Sequence, residues 1–217
     1  MVYIIFVSVA VPLMMLLFMA EGRSKTIIGL VVLGITCAVF SYEINSLIKD
    51  IFEINEFDFR IFISPMTEEL IKFMAILFFS FPILFYNLSH NLNKKFYPIE
   101  AAMALGIGFA IFENIYLLVV SYKYVNIFWA IIRGFSTGLM HGMTTAAVSY
   151  IMTFIKKRKL FYTGMMGLLC ISITYHGIYN LLVESKYNYV GFVIPIFTYI
   201  FLFYKKITTR HSAKLTF

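Results

Sequence analysis

Charge is what this chain lacks most. Of its 217 residues only 13% are Asp, Glu, Lys or Arg, about half the share usual in a soluble domain. That shortfall excludes a soluble globular enzyme and a disordered chain, since both depend on polar surface to stay in water. Cysteine is nearly absent too. Cys37 and Cys170 both lie inside apolar runs, which excludes a disulfide framework, a redox motif and a zinc ribbon. No internal repeat, Pro/Ser-rich linker or low-complexity tract breaks the sequence, so a fibrous repeat is excluded and residues 1–217 are expected to form a single domain. Also missing are H-E-x-x-H, G-x-S-x-G, a pair of membrane aspartates and a catalytic-looking cysteine. These absences disfavour the common soluble zinc-protease arrangement and serine- or aspartate-type proteolysis within a membrane.

What the chain has in abundance is apolar side chains. Hydrophobic residues make up 61% and aromatics 18%, with a mean hydropathy of +0.85, the composition of a polytopic membrane protein. Seven runs are long enough to cross a bilayer, at about 3–20, 26–48, 60–86, 98–121, 133–155, 160–184 and 189–204. The first has no basic segment before it and no small-residue cleavage site after it, so it is expected to be an anchor rather than a removed signal peptide. Basic residues fill alternate loops: Arg23 and Lys25, Lys94 and Lys95, Lys156 to Lys159, and the tail Lys205, Lys206, Arg210 and Lys214. The loop after the second run instead carries Asp50, Glu53, Glu56 and Asp58. By the positive-inside rule the N-terminus lies outside and the C-terminus in the cytoplasm. The expected fold is an all-α integral membrane bundle of about seven transmembrane helices. The net charge of +7 then belongs to topology and anionic lipid rather than to nucleic acid.

A charged side chain at the centre of a span costs at least about 2.5–3.5 kcal/mol, so each needs a partner or a purpose. Four places stand out. The third run opens with Thr67-Glu68-Glu69-Leu70-Ile71-Lys72; Glu68 and Lys72 share a helix face and could pair, with Glu69 about 100° round. Helix capping at the interface is the plainer use of these carboxylates. The fourth run holds Gly106-Ile107-Gly108-Phe109 followed by Glu113-Asn114, where an interhelical polar contact is the alternative. The fifth run spaces Gly134, Gly138 and Gly142 every four residues with His141 beside them, a stripe that admits a neighbouring helix closely. In the sixth, His176 and Asn180 stand one turn apart. Between the fourth and fifth runs, Tyr122, Tyr124, Phe128 and Trp129 suit a membrane interface.

Depth links the four places. Glu68, Glu113, His141 and His176 each lie eight residues inside the residue marking the outer end of their run, namely Arg60, Ser121, Arg133 and Glu184. At about 1.5 Å per residue, all four sit roughly 12 Å below the outer surface. Independent packing residues have no reason to share a depth, whereas one water-filled site does.

Carboxylates, two histidines and an amide in such a pocket can activate water. A buried glutamate beside a second carboxylate is a candidate general base, and Lys72 could hold one of the pair ionised. The histidines could donate to a developing oxyanion. Alternatively His141 and His176 could join Glu113 as the His₂Glu set used for catalytic zinc.

At these positions the sequence resembles the PrsW family of intramembrane proteases, within the wider CAAX-prenyl-endopeptidase-like group. The matching elements are Glu68-Glu69-x-x-Lys72, Gly108-Phe109-x-x-x-Glu113-Asn114, His141 and His176-Gly177-x-x-Asn180. They span a catalytic core of about residues 60–185. The resemblance implies that Glu68 and Glu69 are the catalytic pair and that His141 and His176 complete the site. Lys72, Asn114 and Asn180 would support it, and Glu113, His141 and His176 would hold a metal such as Zn²⁺ where one is bound. Members are described as metalloproteases, whereas relatives in the wider group are described as glutamate-dependent without metal. The implied activity is cleavage of a membrane-anchored protein near its extracytoplasmic side, an anti-sigma factor in some members, in a bacterial plasma membrane. Two other classes fit the residues alone: a non-catalytic membrane partner of immunity or scaffold type, and a transporter using the buried charges as an ion path.

Overall fold

The computed structural model describes residues 2–19, 24–80, 98–120, 126–152 and 158–214, with side chains at most of them. Among these residues every regular element is helical. Helix α1 is Val2–Met19 and α2 is Ser24–Phe52. A reversal follows, with Glu53 at φ 47° and the Asn55 side chain accepting from the Asp58 amide at 2.9 Å. One helical turn, Glu56–Asp58, and a wider π turn, Phe59–Ile63, lead into α3, Ser64–Ala75, and a second π turn, Ile76–Ser80. Helices α4 (Pro98–Val120), α5 (Ile127–Met152), α6 (Arg158–Glu184) and α7 (Asn188–Lys214) complete the described chain.

Each of the seven apolar runs therefore contains a helix. Residues 81–86 of the third run, Ser121 and residues 153–155 lie outside the described residues, as do Lys94, Lys95, Tyr122 and Tyr124. The fifth helix starts six residues before the run does, at Ile127, because Asn126 caps it by accepting from the Trp129 amide at 2.8 Å. Phe128 and Trp129 accordingly belong to a helix rather than to a loop. Among the described residues three helical segments are long and apolar enough to cross a membrane: Ile27–Phe52, Glu100–Val120 and Tyr162–Glu184. Tyr3–Phe18 and Asn188–Phe201 are shorter apolar helices. Helix α5 is more polar because its inward face carries Ser136, Thr137, His141, Thr144, Thr145 and Ser149, all buried.

The distribution of side chains is inverted relative to a soluble protein. Tyr3, Leu17, Phe128 and Tyr162 are largely exposed, while Thr137, Asn114 and His141 are fully buried. Apolar outside and polar inside is what a lipid solvent selects.

Helix α4 is the axis of the bundle. Ala102, Met103, Ala104, Leu105 and Ile107 are inaccessible, and the helix packs against α2, α5 and α1. Lipid gives no hydrophobic drive to helix association, so close approach of small residues must supply the contact. Gly34 of α2 lies on the Leu105 carbonyl, Gly108 of α4 on the Val31 carbonyl, and Gly106 on the His141 carbonyl; a Cβ at any of them would clash. The α5 glycine stripe divides its work. Gly134 and Gly138 receive Val11 and Pro12 of α1, while Gly142 faces Met103 and Ile107.

At one end of the bundle a chain of ion pairs joins four elements. Lys49 of α2 donates to Glu56, Arg60 donates to the other Glu56 oxygen at 3.1 Å, and Arg60 also reaches Glu184 of α6 at 3.1 Å. The Lys49 hydrogen bond, with Arg60 adding to it against desolvation, holds the Glu56 carboxyl below the ordinary carboxylate range.

Gly106→Ala is expected to lower stability by about 1–3 kcal/mol through overpacking against backbone. Gly167→Ala, where a Cβ meets nothing within 4 Å, is expected to leave stability unchanged or raise it by up to about 1 kcal/mol. Thermal unfolding of both variants in detergent makes the comparison, and equal losses would refute the close-approach argument. A second expectation concerns pH. A carboxyl depressed in the folded state contributes above its unfolded value and loses that contribution as pH falls toward the folded one. The melting difference between wild type and Glu56→Gln should therefore be present at neutral pH and shrink below about pH 4.

Candidate active site

Four helices bring the polar residues of the sequence to one place. Helix α3 presents Glu68, Glu69 and Lys72, α4 presents Glu113, α5 presents His141 and α6 presents His176. Glu68 is well inside a helical segment rather than capping one, because α3 begins at Ser64 with Pro65 in its first turn and helical turns precede it.

The Lys72 ammonium is the hub. It donates to Glu69 Oε1 at 2.5 Å and to His141 Nδ1 at 2.9 Å, and it stands 4.9 Å from the centre of the Phe109 ring. The side chains of Lys72 and Glu69 are 1% and 2% exposed. The pairing foreseen between Glu68 and Lys72 is thus replaced by Glu69–Lys72: an i,i+3 pair turns both groups toward His141 in the bundle interior. Glu69 also accepts from Ser172 Oγ at 2.5 Å and faces His176 Nδ1 at 2.9 Å. His141 Nε2 lies 2.6 Å from Glu113 Oε2, and Arg133 Nη2 donates to Glu113 Oε1 at 2.7 Å. The two imidazoles meet edge to face with centroids 4.9 Å apart.

Glu68 differs from the other carboxylates. Its Oε1 accepts from Ser64 Oγ at 2.5 Å. Its Oε2 is buried without a hydrogen-bond partner, 3.8 Å from His176 Nε2, too far for a direct hydrogen bond. Glu113 and Arg133 are the most accessible members of the cluster, with side chains 26% and 16% exposed.

Three further expected or associated residues sit differently. Asn180 is not hydrogen-bonded to His176; its Nδ2 donates to the Arg60 carbonyl at 3.0 Å, one turn from where Gly177 lets the Ile61 carbonyl approach. Asn114 is fully buried next to Glu113, with both amide atoms unpartnered. Sequence reading used Arg133 only as a depth marker, yet it holds Glu113. It also missed Ser64 and Ser172, although each lies four residues before the site residue sharing its face, Glu68 and His176 respectively. Asn45 of α2 went unnoticed as well. It donates to Ser64 Oγ at 3.2 Å and accepts from Thr67 Oγ1 at 2.5 Å, so it steadies the start of α3.

Residues 22–205 match the model of a family described as PrsW family intramembrane metalloprotease. No curated protein and no solved structure matches the chain. The family description implies a metal. Among the described residues, those grouped closely enough to hold one are Glu68, His141 and His176, whose ligand atoms lie within 4.8 Å of one another. Glu68 takes the place foreseen for Glu113, both of whose oxygens are engaged by Arg133 and His141. The donor chemistry fits at two of the three. Glu68 offers an orphaned oxygen, and His176, with Nδ1 on a carboxylate, can offer Nε2. His141 does not fit, because a cation rather than an acceptor stands at its second nitrogen.

Removing one member of a buried ion pair leaves an uncompensated charge. Lys72→Met is therefore expected to destabilise the protein by about 3–5 kcal/mol. Lys72→Met/Glu69→Gln should recover much of that loss in the same unfolding measurement, and strictly additive losses would contradict the pairing.

Proposed function

This chain belongs to the PrsW family of intramembrane metalloproteases, and from that premise we propose that it hydrolyses a peptide bond of a membrane-anchored protein near the extracytoplasmic side. The observation that carries the reading is the gap between Glu68 Oε2 and His176 Nε2, 3.8 Å wide and with the carboxylate oxygen unpartnered. A water held against both atoms would donate one hydrogen to each acceptor and keep a lone pair for attack.

Glu68 is the general base, taking the proton of that water, and His176 orients it. The Ser64 hydroxyl, bound to the other Glu68 oxygen, aims the carboxylate. His141, whose ring stands 4.9 Å from that of His176, donates through Nε2 to the oxyanion that forms at the scissile carbonyl. In the free enzyme this N–H is held by Glu113, whose other oxygen accepts from Arg133; substrate takes its place. Glu69 does not touch the reacting atoms in this scheme. It ties Lys72, Ser172 and His176 into one frame. Glu68 hands its proton to the leaving amine, which restores the starting state.

The wider reading places seven spans in a bacterial plasma membrane, with the N-terminus outside and the catalytic layer in the outer half. The alternating basic loops support it, and so does the position of the cluster below Arg60 and Glu184. An anti-sigma factor is the substrate type that the family resemblance suggests.

Glu68→Gln keeps the size of the side chain and removes the base. Cleavage of a membrane-anchored reporter should fall by about 10²–10⁴-fold at unchanged protein level. Turnover at the wild-type rate would rule the base assignment out. In a Cys170→Ser background, a cysteine at Glu53 should react with an impermeant thiol reagent added outside intact cells. Reaction only after permeabilisation would reverse the topology.

A further inference from the structure

We infer that Lys72 is a positioning residue which fixes His141 as a hydrogen-bond donor toward the reaction centre and thereby keeps it out of any metal's coordination sphere. The inference rests on the hydrolytic reading of this site and concerns how its two histidines come to differ.

The argument is one of donors and acceptors. Paired with the Glu69 carboxylate at 2.5 Å, Lys72 acts as an ammonium, which donates and cannot accept. His141 Nδ1, 2.9 Å from it, must therefore offer its lone pair. A neutral imidazole carries one N–H, so that hydrogen sits on Nε2, where Glu113 Oε2 accepts it at 2.6 Å. His176 is the reverse. Its Nδ1 faces Glu69, an acceptor only, at 2.9 Å, so the hydrogen sits on Nδ1 and the lone pair of Nε2 looks toward Glu68. The chain Arg133, Glu113, His141, Lys72, Glu69, His176 thus alternates donors and acceptors without a mismatch. It delivers two imidazoles of opposite polarity to one gap.

Packing holds this choice in place. The Phe109 ring lies 4.9 Å from the His141 ring and the same distance from the Lys72 ammonium, and Gly106 pins the His141 carbonyl. Turning the imidazole over would lose the bonds to both Lys72 and Glu113. Coordination of a metal through His141 Nε2 would move the hydrogen to Nδ1, where two donors would confront each other. A ligating histidine normally donates its second N–H to a carboxylate or carbonyl. His176 has such a partner, whereas His141 has a cation. Glu68 and His176 alone fall short of the three protein ligands of a catalytic zinc site.

The test uses purified full-length protein in detergent micelles. Long-range proton–nitrogen correlation spectra, assigned with His141→Asn and His176→Asn, should show His141 protonated on Nε2 and His176 on Nδ1. Lys72→Arg, still a donor, should keep the His141 pattern. Lys72→Met should lose it, and after incubation with ZnCl₂ and desalting should retain more zinc than wild type, by mass spectrometry. If Lys72→Met does not fold, wild type and Lys72→Arg decide. A His141 protonated on Nδ1 in wild type would overturn the inference. So would about one zinc per wild-type chain, lost in His141→Ala. Failure of the hydrolytic reading is seen separately, as undiminished cleavage by Glu68→Gln with the two histidine patterns intact.

Discussion

The ion pair between Glu69 and Lys72 is the interaction around which this site is arranged. Two opposite charges 2.5 Å apart and almost sealed from solvent cannot be separated without stranding a charge in a medium that solvates it poorly. Each partner is also engaged by another helix. Lys72 reaches His141 of α5, while Glu69 holds Ser172 and His176 of α6. Three helices are thereby fixed relative to one another by polar bonds that lipid offers no means of replacing. Glu68, the proposed base, keeps one carboxylate oxygen buried without a hydrogen-bond partner.

A polar centre of this kind needs a close-packed surround, and the glycines provide it. Backbone-to-backbone approach at Gly34, Gly106 and Gly108 brings α2 and α5 onto α4. The Gly106 contact falls on the carbonyl of His141 itself, so the packing that builds the bundle also sets the height of a site residue. At one end of the bundle the Lys49–Glu56–Arg60–Glu184 chain is exposed, where such pairs contribute little energy. Its role is to hold the π turn Phe59–Ile63 against α6, with Asn180 and Gly177 receiving the backbone of that turn.

Much of this was legible in the residues, and the misses share a cause. Glu68, Glu69, Lys72, Glu113, His141 and His176 were recognisable because charge and imidazole are costly in a span; the shared depth then implied that they meet, and they do. Spacing along one helix pointed Lys72 at Glu68, yet its bonds go to Glu69 and His141. Same-face spacing likewise joined Asn180 to His176, although Asn180 serves a carbonyl on another element. Ser64, Ser172, Asn45 and the Glu113 partner Arg133 went unread because hydroxyls, amides and boundary arginines are common, and only the fold reveals which of them meet a carboxylate.

The sequence by itself therefore determined the solvent, the helices and the carboxylate, lysine and imidazole members of the cluster. Those follow from composition, run length and the energetic cost of charge in lipid, all additive along the chain. Only the tertiary structure decided the pairing within the site: which glutamate Lys72 neutralises, which carboxylate oxygen stays free, and which nitrogen of each histidine faces the centre. Hydrogen bonding is directional and exclusive, so these choices depend on angles and distances between helices, which no periodicity along a single helix contains.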